Sequence, residues 1–317
     1  MHRRKTPRIP GCERSGSHGL KSMLHCGKSG KTEGGHGFYD SRAEPNLMSR
    51  KVTRAAGGSR GAMLYAPLKR ILNAAGLDLV RYSGETDRIP FPDISPEDLE
   101  TVRTVSPYTM TSAKRIHVLC EATRYISQAR IPGDVVECGV WKGGSMMAVA
   151  RTLMGESDRT RDLYLFDTFE GMTDPTEDDV NADGETAAEL LKSTPRSEDR
   201  ESLWCVAHKD GVRDAMESTH YPIDRIHLIQ GRVEETVPAQ APKRIALLRL
   251  DTDWYESTRH EMEHLYPRLE RGGVLIVDDY GHWKGARKAV DEYLERTGSG
   301  LMLHRIDYTG RVGVRVF

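Results

Sequence analysis

Two short runs of acidic residues have the residue types and the spacing needed for metal chemistry. Asp251 and Asp253 flank Thr252, while Asp278 and Asp279 are adjacent, and each run directly follows an apolar segment. Carboxylates that converge repel one another and are costly to remove from water. A hard divalent cation offsets that cost, and oxygen ligands favour Mg²⁺ or Ca²⁺. The two runs therefore indicate a metal site, and the structural alternative is that Asp253 or Asp279 caps a following helix.

A glycine-rich turn is a second candidate for a functional role. It reads ECGVWKGGS over residues 137–145. Its glycines permit a tight turn and close approach of the backbone to a ligand, and the N-terminus of a helix follows. The spacing E-x-G-x-x-x-G differs from the dinucleotide pattern G-x-G-x-x-G. Taken alone, the turn fits either a cofactor loop or an ordinary connection between a strand and a helix.

Asp167 ends a second apolar segment and lies 28 residues after Gly139. An acid at the end of the second strand of such a fold can accept hydrogen bonds from both hydroxyls of a ribose. The structural alternative is again a helix cap. Together with the glycine-rich turn, Asp167 favours a cofactor that contains a nucleoside.

Strands that alternate with helices must position these residues. The apolar patterns predict strands at 135–138, 163–166, 226–229, 245–250 and 274–277. They predict helices at 145–154, 256–269 and 286–294, and a terminal antiparallel pair at 301–306 and 312–317. This alternation is typical of an α/β fold with a doubly wound, mostly parallel sheet that helices cover on both faces. Such sheets bind ligands at the carboxyl ends of their strands, where the acidic runs and the turn fall.

The N-terminal part of the chain has a different composition. Residues 1–62 contain 13 Lys or Arg, four Asp or Glu and little apolar periodicity, so they cannot bury a core. Amphipathic helices are predicted at 63–82 and 112–130, separated by a proline-rich connector. These patterns divide the chain into a disordered basic tail at 1–62, an accessory helical segment at 63–130 and a catalytic domain at 131–317.

Global composition restricts the partners and the compartment. The net charge of −1 gives no indication of nucleic-acid binding. The sequence contains no run of 18 apolar residues, so we predict no membrane-spanning helix. The five cysteines are scattered, without the spacing of a zinc site or of a redox pair. We therefore expect a reduced, cytoplasmic protein with a small-molecule substrate.

Four segments carry a resemblance to a known family. They are VECGVWKGGS at 136–145, LYLFDTFEGM at 163–172, LLRLDTDWYEST at 247–258 and GGVLIVDDYGHWKGARKAVDEYL at 272–294. Over roughly residues 100–317 the chain resembles the macrocin O-methyltransferases, which act on antibiotic sugars and related hydroxyls. The resemblance implies a class I, Rossmann-like methyltransferase domain at 131–317, S-adenosylmethionine and Mg²⁺ as cofactors, and a homo-oligomer.

The resemblance also implies roles for individual residues. By position, the cofactor contacts are Thr109, Met110, Glu137, Cys138, Gly139, Val140, Trp141, Ser145, Asp167, Thr168, Phe169, Glu170 and Gly171. The implied metal ligands are Asp251, Asp278 and Asp279, and the implied general base is Asp253. If the chain stays extended past Leu250, Asp251 and Asp253 point to the same side. The acidic, polar residues 173–200 are interpreted as a variable lid or loop.

Three functions remain in competition. The leading one is a metal-dependent O-methyltransferase that acts on a hydroxyl of a sugar or another natural product, whose identity the sequence leaves open. A nucleotide-sugar glycosyltransferase would use Asp251-Thr252-Asp253 as a metal-binding DxD motif, but that reading does not explain the glycine-rich turn or Asp167. A binding module without activity would retain a metal without needing a fourth carboxylate, so Asp253 argues against it.

Overall fold

The computed structural model describes residues 93–200 and 202–316. The basic tail and the helix predicted at 63–82 lie outside these described residues. The described part opens with helix α1 (Pro96–Val105), where the Ser95 side chain accepts a hydrogen bond from the Asp98 amide at 3.1 Å. The sequence patterns assigned no helix there. Helix α2 (Ala113–Gln128) is capped in the same way by Ser112 and matches the helix predicted at 112–130.

Within the described residues, seven strands form one sheet in the order β3-β2-β1-β4-β5-β7-β6. They are β1 (Asp134–Cys138), β2 (Leu163–Asp167), β3 (Ile226–Gln230), β4 (Ile245–Leu250), β5 (Leu269–Val277), β6 (His304–Arg305) and β7 (Arg311–Val314). The first five run parallel, and β7 lies antiparallel between β5 and β6. The predicted mixed sheet with a terminal antiparallel pair is confirmed.

Helices connect the strands and cover the sheet. They are α3 (Gly144–Gly155), α4 (Ala187–Ser193), α5 (Lys209–Glu217), α6 (Val233–Thr236), α7 (Tyr255–His264) and α8 (Lys284–Thr297). Successive strand residues enter different cores: Val135 packs in a cluster with α2 and α3, and Val136 packs in a cluster with α7 and α8. This alternation places a hydrophobic core on each face of the sheet, as the parallel arrangement requires.

The boundary between α7 and β5 differs from the prediction. The helix predicted at 256–269 ends at His264, and a 3₁₀ turn (Tyr266–Arg268) follows. Pro267 explains the early end, because its ring has no N–H and clashes with the helical carbonyl four residues before it. Strand β5 therefore starts at Leu269 rather than at 274, pairing with Ile245 before a shift of register.

The segment predicted as a lid or loop at 173–200 is more ordered than its polar composition indicated. It contains a β-bridge between Val180 and Thr186 and then helix α4. Helix α4 packs on an edge-to-face pair of indoles, Trp254 and Trp283, whose centroids are 5.0 Å apart. Buried Asp179 accepts a hydrogen bond from the Tyr255 amide at 2.7 Å and so caps α7. The segment is thus anchored to the N-terminal ends of α7 and α8.

Among the residues that the structure describes, no helix combines the length and the apolar character needed to cross a membrane.

Candidate active site at the carboxyl ends of the strands

The three residues predicted to bind a metal come together at the carboxyl edge of the sheet. Asp251 follows β4, and Asp278 and Asp279 follow the neighbouring strand β5. One carboxylate oxygen from each residue lies within 4.8 Å of the others. Asp278 is only 3% exposed, whereas Asp251 and Asp279 are partly buried. Three oxygen donors at this spacing suit a hard divalent cation.

Asp253 reaches the same cluster by a turn and not by an extended strand. Its φ is +67°, and the Trp254 amide donates to the Thr252 carbonyl at 2.7 Å. The condition of extended backbone past Leu250 is therefore not met at Asp253, and aspartate is one of the few residue types that tolerates this left-handed conformation. The Asp253 carboxyl nevertheless lies within hydrogen-bond reach of Asp279. Helix α7 takes its cap from Asp179, so Asp253 is not the helix cap.

A buried arginine that the sequence reasoning missed connects the predicted metal ligands to the glycine-rich turn. Arg249 in β4 is 2% exposed. Its Nη1 donates to Glu137 Oε1 at 2.6 Å and to Asp251 Oδ2 at 2.7 Å. Its Nη2 donates to Asp278 Oδ1 at 2.7 Å and to Thr111 Oγ1 at 2.9 Å. The sequence did contain one signal for this network: Arg249 is the only charged residue in the otherwise apolar strand IALLRL. A buried charge needs partners, so this arginine indicated that acids lie nearby.

Carboxyl groups outnumber guanidinium groups in this site. Its carboxyl groups are Glu137, Asp251, Asp253, Asp278 and Asp279, and its guanidinium groups are Arg115 and Arg249. Burial raises the pKa of Glu137 to about 8 despite the neighbouring Arg249. Burial, together with the charge of Asp251, raises the pKa of Asp253 to about 7, and burial also raises the pKa of both Asp251 and Asp279. A divalent cation would relieve this repulsion, so the donor set fits Mg²⁺.

Glycines in the turn after β1 are required by the protein's own backbone. A Cβ on Gly139, which has φ +80°, would lie 2.0 Å from the Asp251 carbonyl oxygen. A Cβ on Gly144 would lie 2.7 Å from the Tyr108 carbonyl oxygen and 2.8 Å from the Thr109 Cβ. The turn thus packs directly on the backbone after β4 and on the segment that joins α1 to α2.

Two buried polar atoms in this turn lack a partner within the described residues. They are Oε2 of the fully buried Glu137 and Nε1 of Trp141. Buried polar atoms are normally hydrogen-bonded, so an acceptor and a donor without partners fit the amino acid and nucleoside groups of a cofactor such as S-adenosylmethionine. Val140 is buried next to them. The Cys138 side chain lies in the core with Phe166 and Leu250, so only its backbone faces the turn.

Asp167 ties two loops together. Its Oδ2 accepts hydrogen bonds from the amides of Val140 at 2.6 Å and Trp141 at 3.0 Å, and its Oδ1 accepts from the Phe169 amide at 2.7 Å. Both oxygens predicted to hold a ribose therefore already have backbone donors. Burial raises the pKa of Asp167, while these amides act in the opposite direction. Its carboxylate fixes the glycine-rich turn against the loop after β2.

The remaining predicted cofactor contacts surround this pair of loops. Thr168 Oγ1 donates to the Gly171 carbonyl at 2.7 Å and accepts from the Glu170 amide at 3.1 Å, which closes the loop after β2. Ser145 is buried in the first turn of α3. Thr109 is buried beside Gly144, while Met110 is 37% exposed.

A cavity of about 630 Å³ adjoins the loops after β2 and β3. It is lined by Phe169, Glu170, Arg196, Val206, His208, Lys209, Asp210 and Gln230. Two of these residues, Phe169 and Glu170, were predicted as cofactor contacts. The others come from parts of the chain to which the sequence reasoning assigned no site.

A second buried network lies behind the acidic turn and was also missed. Glu261 in α7 is fully buried and accepts a hydrogen bond from Thr252 Oγ1, 3.0 and 3.2 Å from its two oxygens. Burial and the neighbouring Glu261 carboxyl raise the pKa of the Cys138 thiol. Glu261 thus braces the residue between Asp251 and Asp253.

Comparison with known proteins gives the class of this fold and site. A solved structure titled the O-methyltransferase NovP is similar, with a TM-score of 0.58 and 28% identity, over 66% of this chain and 83% of that chain. Together with the sheet order and the turn after β1, this similarity defines a class I S-adenosylmethionine-dependent O-methyltransferase.

The family follows from the sequence comparisons. The model of the macrocin-O-methyltransferase family matches residues 98–313, so this chain belongs to that family. The mycinamicin III 3''-O-methyltransferase of Micromonospora griseorubida is 30% identical over 80% of this chain and 96% of that protein. The 8-demethyl-8-(2,3-dimethoxy-alpha-L-rhamnosyl)-tetracenomycin-C 4'-O-methyltransferase of Streptomyces olivaceus is 32% identical over 72% of this chain and 81% of that protein. These matches give no support to the glycosyltransferase alternative.

Proposed function

We propose that this enzyme is metal-dependent and transfers the methyl group of S-adenosylmethionine to a hydroxyl of a sugar or sugar-bearing natural product. The observation that carries the proposal is the convergence of the Asp251, Asp278 and Asp279 carboxylates, with the Asp253 carboxyl beside them. The names of two relatives, which describe methylation of a rhamnosyl-tetracenomycin and of mycinamicin III, support the choice of acceptor class.

In this proposal the four aspartates of the site have two different roles. Asp251, Asp278 and Asp279 would hold the divalent cation, which supplies the Lewis acidity that makes a weakly acidic hydroxyl easier to ionise. Asp253 would take the proton of the acceptor hydroxyl as the oxygen attacks the sulfonium methyl group.

The cofactor would lie on the turn after β1 and the loop after β2. Glu137 Oε2, buried and without a partner among the described residues, is an acceptor available to the ammonium group of the cofactor. Arg249 holds the other Glu137 oxygen at 2.6 Å and so orients this carboxyl. Asp167 would then act mainly by fixing the two loops, because its oxygens already accept from backbone amides.

A labelled-methyl transfer screen tests the proposal. Purified enzyme with methyl-labelled S-adenosylmethionine would be offered free sugars, glycosylated natural products and phenols, each with Mg²⁺ and with excess chelator. We expect label in a sugar-bearing acceptor, loss of transfer with chelator, and recovery when Mg²⁺ is added back. Undiminished transfer in excess chelator would remove the metal from the mechanism, and transfer to phenols alone would exclude the sugar hydroxyl.

A further inference from the structure

Arg115 contacts the proposed metal site from outside the sheet. It lies in α2, and its Nη1 donates to Asp278 Oδ2. Its Nε lies 3.2 Å from Asp307 Oδ2 and 3.4 Å from Ser112 Oγ, so the guanidinium bridges two carboxylates. Its side chain is 14% exposed, whereas that of Arg249 is 2% exposed. Of the two arginines at the site, Arg115 is therefore the more exposed.

The two guanidinium groups together take both oxygens of Asp278. Arg249 donates to Oδ1 at 2.7 Å, and Arg115 donates to Oδ2. Arg249 is held by bonds to three other residues and cannot move without breaking them. Arg115 has an alternative carboxylate in Asp307, so giving up Asp278 would leave it paired.

Asp307 is well fixed as that second partner. It lies in the turn between β6 and β7, and its Oδ1 accepts from the amides of Thr309 at 3.0 Å and Gly310 at 2.9 Å. Its Oδ2 accepts from Ser112 Oγ at 2.8 Å and faces Arg115. These donors and the charge of Arg115 lower the pKa of Asp307 despite its burial. The carboxylate therefore stays charged and in place.

We propose that Arg115 sets the cation affinity of the site, because its guanidinium and the divalent ion compete for the carboxylate of Asp278. The inference rests on the proposed metal site. A guanidinium bonded to a ligand carboxylate competes with a metal ion for that carboxylate, and its positive charge opposes the binding of a second cation nearby. Asp307 favours binding of the ion because it keeps Arg115 paired after the guanidinium has released the Asp278 carboxylate.

Two substitutions should change metal affinity in opposite directions. Arg115→Gln removes the competing charge, so Mg²⁺ should bind about tenfold more tightly, which corresponds to about 1.4 kcal/mol. Asp307→Asn keeps an acceptor for the turn amides but removes the charge that retains Arg115, so Mg²⁺ should bind roughly threefold more weakly. Arg244→Gln is the control, since Arg244 pairs with Glu270 just before β4, at the opposite end of that strand from Asp251.

Isothermal titration calorimetry with Mg²⁺, and electron paramagnetic resonance with Mn²⁺ as probe, would measure these affinities on the full chain. Tighter binding by Arg115→Gln, weaker binding by Asp307→Asn and no change in Arg244→Gln would support the competition. Unchanged or weaker binding by Arg115→Gln would overturn it, and if that variant fails to fold, unchanged or tighter binding by Asp307→Asn would do so. If neither the wild type nor Arg115→Gln binds either ion, the proposed metal site itself fails and this inference with it.

Discussion

The Asp253 carboxyl reaches Asp279 because the chain turns after β4, with Asp253 itself at φ +67°. Behind the turn, Thr252 is held by the fully buried Glu261. A buried carboxyl is costly unless it is hydrogen-bonded. The Glu261 carboxyl therefore restricts the turn at Thr252 more than an apolar side chain would. It helps to keep Asp251 and Asp253 close together at the site.

Asp253→Asn tests the proposed base. Asparagine nearly preserves the shape of the side chain but cannot take a proton, so turnover with an acceptor found by the screen should fall by roughly 10²–10⁴-fold. Affinity for Mg²⁺ and for S-adenosylhomocysteine, measured by calorimetry, should stay near wild type. Normal turnover would defeat the base assignment, and loss of Mg²⁺ binding would make Asp253 a metal ligand instead.

Residue types predicted the cluster well and its internal contacts poorly. The carboxylates after β4 and β5 were found because both runs follow apolar strands that end at one edge of the sheet. Arg249 was missed because a single arginine in a strand does not indicate which acidic residues it will pair with in the folded protein. Asp167 was found, but its bonds to the Val140 and Trp141 amides depend on a loop 26–27 residues away.

At the scale of elements, the segment at 173–200 shows how tertiary contacts override composition. Its polar residues predict a variable lid or loop, yet Asp179 caps α7 from 76 residues upstream. The Trp254 Nε1 also donates to the Thr173 carbonyl at 3.0 Å. The start of α7, immediately after Asp253, is thus held by this segment.

Gly285→Ala tests that anchor. A Cβ on Gly285 would lie 2.0 Å from Asp179 Oδ1, so the carboxylate must leave its position on α7. We expect a loss of about 1–3 kcal/mol in the free energy of unfolding, which calorimetry or denaturant titration would measure. Gly211→Ala is the control, since a Cβ on Gly211 in α5 would meet nothing within 4 Å. Equal stability of the two variants would contradict the anchor.

For the whole molecule, the division of the chain into a tail, an accessory segment and a methyltransferase domain stays a proposal. The match to the family begins at residue 98, and α1 contributes Val102 and Val105 to the core cluster shared with α2 and α3. The accessory segment and the methyltransferase domain therefore share one core where the structure describes both.

A shortened chain tests the proposed tail. Residues 1–62 lack an apolar pattern that could build a core, so a chain that starts at Met63 should keep the Tm and the activity of the full chain. Differential scanning calorimetry would measure the first and the methyl-transfer assay the second. A chain that starts at Ala113 is the control and should unfold at a lower temperature, because it lacks the buried residues of α1. A loss of several degrees in the chain that starts at Met63 would show that the tail is integral.

By itself, the sequence determined the alternation of strands and helices, and it predicted the edge of the sheet where the candidate site lies and the acids that meet there. These features follow from local periodicity and from the shared direction of parallel strands, so they need no knowledge of distant contacts. Only the tertiary structure decided which arginines pair with those acids and how loops far apart in the chain are joined. Arg115 and Ser112 meet Asp307 almost 200 residues later, and Arg249 meets Glu137 112 residues earlier. Such pairings depend on how whole elements pack, and no local pattern of residues encodes them.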